Sequence, residues 1–142
     1  MVLRSQKWVS NVSGTAAIEF AILTPVFLLM LMGMLAYGIY FAAAHALQQL
    51  AADSVRTAIA GINEAEGRYL VETYLRQNVG AYMLIDPQRL DFAVVVAPDN
   101  RDQFVVELRY DASHLPIWNL YPPLPLPSRE IVHWATIRRG GI

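Results

Sequence analysis

Along positions 15–44 the chain alternates between nothing but apolar and small side chains, chiefly Ala, Leu, Ile, Met, Phe, Gly and Tyr, and Glu19 is the only formally charged residue there. A bilayer core of ~30 Å is crossed by roughly 20 residues at 1.5 Å rise each, so this stretch predicts a membrane-spanning helix with length to spare. A buried helix in a soluble domain would need surrounding layers that a chain of 142 residues does not have. Arg4 and Lys7 precede the span. By the positive-inside tendency they hold the N-terminus in the cytoplasm and send the chain after His45 outward. A cleaved secretory signal has a shorter apolar region than this. Pro25 removes one backbone donor inside the span and predicts a bend.

Beyond the span the helical pattern continues. Leu47, Leu50, Ala51, Val55, Ala58 and Ile62 recur at three- and four-residue steps, while Gln48, Gln49, Asp53 and Arg56 fall on other faces, which predicts a helical stalk. Gly61 suits a C-terminal cap, Asn63 an N-cap, and Glu66 stands in capping-box position, so a second helix is expected over 64–78. Ala65, Tyr69, Leu70, Tyr74 and Leu75 are its expected inward residues, with Asn78 and Gly80 ending it. The period then falls to two. Leu90, Phe92, Val94 and Val96 alternate along one strand, and Phe104, Val106, Leu108 and Tyr110 along another, with Glu107 and Arg109 on the opposite face. Pro98, Asp99, Asn100, Arg101 and Asp102 form the turn-rich connector of an antiparallel hairpin, and residues 131–137 supply a third strand. The expected fold is α+β: a long N-terminal transmembrane helix continuing into a stalk, a second short helix, then a small antiparallel three-stranded sheet.

Between the second and third strands, Pro116, Pro122, Pro123, Pro125 and Pro127 crowd a segment that also holds Trp118, Tyr121 and Leu124. Proline at this density rules out a central strand or a helix. Two readings stand: the segment packs over an open sheet edge, or it is exposed and docks a partner or the membrane surface. Composition narrows the partners. Eleven basic residues against 12 acidic ones leave a net charge of −1 and no broad basic field for nucleic acid. The absence of cysteine removes thiolate chemistry, disulfides and Cys-ligated metals.

Little suggests an enzyme. His45, His114 and His133 fall in separate elements and outside any metal-binding pattern. Asp53-Ser54 reads as a solvated helix face and Ser113-His114 as a loop, since neither has a third partner or a nucleophile-turn glycine. Gly140 and Gly141 open no helix on which a phosphate could sit. No catalytic residue, cofactor, metal or small-molecule substrate is expected. Gly33, Gly38 and Ala36 read as ordinary small residues of a span.

Glu19 carries the sharpest signal, because an ionisable group in a membrane helix costs roughly 2.5 kcal/mol or more at the centre unless it is paired or reaches the interface. Ahead of it lie Ser13, Gly14, Thr15, Ala16, Ala17 and Ile18, and Phe20 follows. This junction, with the run from Gly14 through Pro25, resembles the TadE-like pseudopilins of tight-adherence (Flp) type IV pilus systems. Leu108-Arg109-Tyr110 leading into a Pro-rich segment is a looser likeness to the same family.

The resemblance implies a leader over 1–14, cleaved between Gly14 and Thr15 by a prepilin peptidase, a transmembrane helix over 15–44, and an extracytoplasmic head with its stalk over 45–142. It also gives Glu19 and Phe20 the role of setting register during assembly. The lipid bilayer, the peptidase, other pilins or pseudopilins and the pilus assembly platform are then the partners, at the bacterial inner membrane. Small side chains at Gly14 and Thr15 leave the scissile backbone unhindered, and the new amine lies four residues from Glu19. A carboxylate on one helix can pair with that amine on a neighbour, offsetting both desolvation costs. The alternative is an unprocessed single-pass binding module that docks an envelope partner through Trp118, Tyr121 and Leu124.

Overall fold

The computed structural model describes residues 12–97, 100–120 and 125–138. The leader residues 1–11, with Arg4 and Lys7, lie outside them, as do Pro98, Asp99, Tyr121, Pro122, Pro123, Leu124, Gly140 and Gly141.

Helix α1, Val12–Thr57, runs unbroken through Pro25. Thr24 sits directly before the proline and turns its hydroxyl back to the Phe20 carbonyl at 2.6 Å. The helix divides by burial into two parts. No residue from 14 to 35 is buried, while Ala36, Ala43, Leu47, Leu50, Ala51, Ser54, Val55 and Ala58 form one face that is almost wholly covered. Their three-, four- and seven-residue spacing is the helical repeat, and small Ala positions let the rest of the protein approach the backbone. The core of the head thus reaches back to Ala36, into the stretch that hydropathy groups with the span. Ser54 is buried within it and bonds the Ala51 carbonyl at 2.9 Å, so the expected solvated face does not include it.

After α1 the chain tightens into one 3-10 turn, Ala58–Ala60, and passes Gly61. Gly61 caps this turn as the sequence suggests, its amide donating to the Ala58 carbonyl, with an extended backbone at φ −75° and ψ 135°. Its value is space: a Cβ there would stand 2.5 Å from the Gly67 nitrogen and 2.7 Å from the Gly67 Cα. The inward pattern also stops at Ala58, because this turn rotates Ile62 into solvent, where it is 85% exposed.

Helix α2, Glu64–Asn78, starts on the expected cap. Asn63 accepts from the Glu66 amide at 2.9 Å, and the Glu66 carboxylate accepts from the Ile62 amide at 2.8 Å, one residue earlier than in a simple capping box. Its buried face is Gly67, Val71 and Leu75, continued by Val79. The expected inward residues Ala65 and Tyr69 are exposed, and Leu70 and Tyr74 are half-buried. Gly67 decides this orientation, because an added Cβ would lie 2.9 Å from the Phe104 ring and 3.2 Å from the Ala58 carbonyl.

Three strands, β1 (Leu90–Ala97), β2 (Asn100–Asp111) and β3 (Glu130–Arg138), form an antiparallel sheet in the order β1-β2-β3. The expected alternation holds along β2, where Phe104, Val106, Leu108 and Tyr110 are fully buried. Cross-strand partners Phe92, Leu108 and His133 fix the register in mid-sheet. The inner face packs on α1, and burying each large aliphatic or aromatic side chain contributes about 1.5–3 kcal/mol.

Candidate functional site

At the N-terminal end of α1, Gly14 and Thr15 lie in the first turns of the helix, where backbone N–H groups lack intrahelical partners and open most readily. Nothing stands within 4 Å of where a Gly14 Cβ would be. Glu19 and Phe20 are both exposed, Phe20 at 73%, and among the described residues no side chain pairs with Glu19. Ile18, Ile22, Leu23, Val26 and Phe27 around them are exposed as well. This end of the molecule is a bare apolar cylinder with one carboxylate on it.

Toward its C-terminal end the head grips the helix. A groove is lined by Tyr40, Phe41, Ala44, His45 and Gln48 of α1 and by residues 130–133 of β3. Burial and His45 together hold the His133 imidazole below its ordinary pKa. Asp53 accepts a hydrogen bond from the Tyr82 hydroxyl at 2.9 Å and pairs with Arg56 at 3.1 Å, tying the stalk to the segment after α2. The Tyr82 hydroxyl is pushed up from its usual value, first by burial and then by the Tyr74 hydroxyl and Asp53.

Tyr110 organises the C-terminal end of β2. Its hydroxyl donates to the Leu84 carbonyl at 2.7 Å and accepts from the Asp86 amide at 3.1 Å. With its proton committed to Leu84, it takes a second hydrogen bond from His114 Nε2 at 3.1 Å. Leu84 itself is at φ 68°, a left-handed conformation that a branched residue keeps only when its surroundings hold it. Beside this hub, Arg89 pairs with Asp111 at 2.9 Å and with Asp86 at 3.7 Å. Asp111 also accepts from Ser113, which, with Arg89, keeps its carboxyl below the ordinary range.

The Pro-rich segment has α1 as its main packing partner. A 3-10 turn, Pro116–Asn119, buries Ile117 completely, and the Trp118 indole donates to the Ala112 carbonyl at 2.7 Å. The Arg129 guanidinium lies over the Trp118 ring, 5.3 Å from its centroid. From inside the apolar stretch, the Tyr37 hydroxyl donates to the Pro125 carbonyl. Trp118 is therefore half-buried and engaged within the fold; Tyr121 and Leu124 lie outside the described residues. The sequence reading passed over Tyr37 and took Ala36 for an ordinary small residue of the span; the signal for Ala36 is the seven-residue recurrence Ala36, Ala43, Leu50, and Tyr37 has none.

Among the described residues no three His, Asp or Glu side chains gather as a metal site would require; His45 and His133 share the groove beside β3, while His114 bonds Tyr110. One helix among those residues is long and apolar enough to cross a membrane. The long exposed helix and the head packed on its C-terminal part together mark a single-pass membrane protein with an α+β head.

Residues 14–56 match the family of TadE-like proteins, so the chain carries a TadE-like segment from the Gly14–Thr15 junction through the stalk. This likeness links it to tight-adherence pilus systems and to the membrane. No curated protein and no solved structure matches it.

Proposed function

We propose that the chain is a minor pseudopilin of a tight-adherence pilus: a structural, non-enzymatic component that enters the inner membrane with its N-terminus in the cytoplasm and its head outside. Prepilin peptidase cuts between Gly14 and Thr15, leaving a mature chain whose apolar helix bundles with those of other pilins. Glu19 then meets the freed amine of a neighbouring subunit, and this ion pair sets the axial register while Phe20 packs beside it.

The observation that supports this reading most is the exposure of Glu19. A carboxylate with no described partner, on a helix end that the protein's own head leaves bare, favours a partner from outside the chain. The TadE-like match covers that end. Desolvating a lone carboxylate is costly, whereas a pair formed between two such ends offsets the cost and is directional.

Glu19→Gln tests it. The substitution keeps size and removes charge, so the head should fold and reach the membrane in normal amount while recovery in sheared pilus fractions, or pilus number per cell, falls at least tenfold. Normal pili and normal recovery with Glu19→Gln and with Glu19→Ala would remove the basis for the register role.

A further inference from the structure

Just above the bare part of α1, three aromatic rings follow one another. Tyr37 lies 6.0 Å from Phe41 and Tyr40 lies 6.2 Å from Phe41, centroid to centroid. Below them Met34 and Leu35 are 62% and 49% exposed, and above them Ala43 and Leu47 are fully buried in the head. Positions 15–35 span about 31 Å at 1.5 Å per residue, the thickness of a bilayer's hydrocarbon core. Aromatic side chains with a polar tip collect where that core meets the headgroups. The outer boundary therefore falls at 37–41.

The head's orientation follows. The start of β3 lies beside Tyr40 to Gln48, and its other end approaches the turn after α1, so β3 runs outward alongside the helix. Antiparallel pairing then brings Leu90, Asp111 and Glu130 to the membrane-facing end of the sheet. Of the strap joining Asp111 to Glu130, the turn Pro116–Asn119 packs on α1 and Pro125 accepts from the Tyr37 hydroxyl. Leu120, Leu126 and Pro127 are half-buried there, and Asn119, Pro125 and Ser128 are exposed. Among the described residues no carboxylate stands within ion-pair distance of Arg129, which rests on Trp118. Asp86, Asp91, Asp111 and Glu130 offset Arg89, Arg109 and Arg129 at this end, so no net positive field is available to recruit anionic lipid.

We propose that the Pro-rich strap is a lipid seat: Trp118, Leu120, Leu126 and Arg129, pinned to α1 by Tyr37, rest in the outer headgroup layer of the bilayer that α1 crosses. The contact is apolar and aromatic, with Arg129 placed for a phospholipid phosphate, and it fixes the depth of the helix and the angle of the head. Prolines suit the task, because the fixed φ of Pro116, Pro125 and Pro127 leaves the strap less entropy to lose on seating. The inference rests on α1 crossing a membrane, not on cleavage at Gly14, so an unprocessed chain tests it equally well.

Because the chain has no cysteine, single nitroxide labels can be placed at Asn119→Cys and Ser128→Cys on the strap and at Thr136→Cys near the far end of β3. The full chain in phosphatidylcholine vesicles is measured for collisions with oxygen, which concentrates in lipid, and with a water-soluble nickel chelate. The expected result is oxygen preference at least threefold greater at 119 and 128 than at 136, unchanged when a third of the lipid is phosphatidylglycerol. A second readout avoids labels: with Trp8 and Trp134 changed to Phe, brominated lipid should quench Trp118, and with Trp8 and Trp118 changed to Phe it should leave Trp134 bright. Equal aqueous exposure at all three labels with no Trp118 quenching overturns the proposal. So does a strap that is aqueous in vesicles but shielded in native membranes, which would mark a protein partner.

Discussion

Gly61→Ala isolates the tightest contact in the head. The backbone at 61 is extended, a conformation alanine adopts freely, so the substitution adds no torsional strain and should even stabilise by about 0.4–1 kcal/mol through the unfolded chain. Opposing that, the new methyl would meet the Gly67 nitrogen at 2.5 Å, the Gly67 Cα at 2.7 Å and the Glu66 carbonyl carbon at 3.1 Å. All three are backbone atoms of α2. Relief requires the start of α2 to shift, and with it the Asn63–Glu66 cap and the seat of Gly67 on Phe104. Overpacking of this kind costs about 1–3 kcal/mol. A net loss of about 1.3 kcal/mol in a head of this size corresponds to a fall in Tm of roughly 5–10 °C. Gly80→Ala is the matched control, since the nearest atom to its Cβ would be Pro87 Cγ at 4.0 Å, and its Tm should stay within about 3 °C. Thermal unfolding of the full chain in micelles, followed by Trp118 and Trp134 fluorescence, reads both. Equal Tm values for the two variants would refute the close approach of the α1–α2 turn to α2.

Tyr110→Phe should cost about 1–3 kcal/mol, because the Asp86 amide and Leu84 carbonyl lose their shared partner; hydrogen exchange should accelerate at residues 82–88 before it does in β2. Phe104→Ala should cost about 3–5 kcal/mol as a fully buried ring is lost, and denaturant titration would check it. For His133 the sign is set by its lowered folded pKa: the unfolded chain binds the proton more tightly, so this stabilisation is complete above an unfolded pKa of about 6.5 and is lost as pH falls toward the folded value. His45, Glu130 and Gln48 share the groove with it. His133→Gln should flatten the decline of Tm between pH 7.5 and 5, and an unchanged slope would assign that decline to other groups. Tyr37→Phe should leave the head's Tm within about 3 °C while increasing the mobility of a label at position 128.

Strand positions were legible because one face of the sheet is buried, and burial imposes a period of two that Phe104, Val106, Leu108 and Tyr110 display directly. The start of α2 was legible for a local reason, the short reach of Asn63 and Glu66 to nearby amides. Its inward face was not. Hydrophobicity favours Tyr69 over Gly67, whereas packing against Phe104 and Ala58 selects the residue without a side chain. At Gly61 the cap was legible but the close approach to Gly67 was not, since no local pattern says which backbone passes nearby. Seating of the Pro-rich segment on α1 depends on Tyr37 meeting Pro125 across 88 positions, a pairing no local pattern encodes. Gly14, Thr15, Glu19 and Phe20 stand out in sequence because a lone carboxylate after a small-residue junction is conspicuous in an apolar run. On the pilin reading proposed above their partners belong to other molecules, so one chain's fold carries no trace of them.

Intact-mass and N-terminal measurement of the protein from native membranes bears most directly on the pilin reading. Processing at the Gly14–Thr15 bond gives a chain that begins at Thr15, and deletion of the prepilin peptidase restores residues 1–14. A chain beginning at residue 1 or 2 in cells with active peptidase would contradict it, leaving an unprocessed, membrane-anchored binding module.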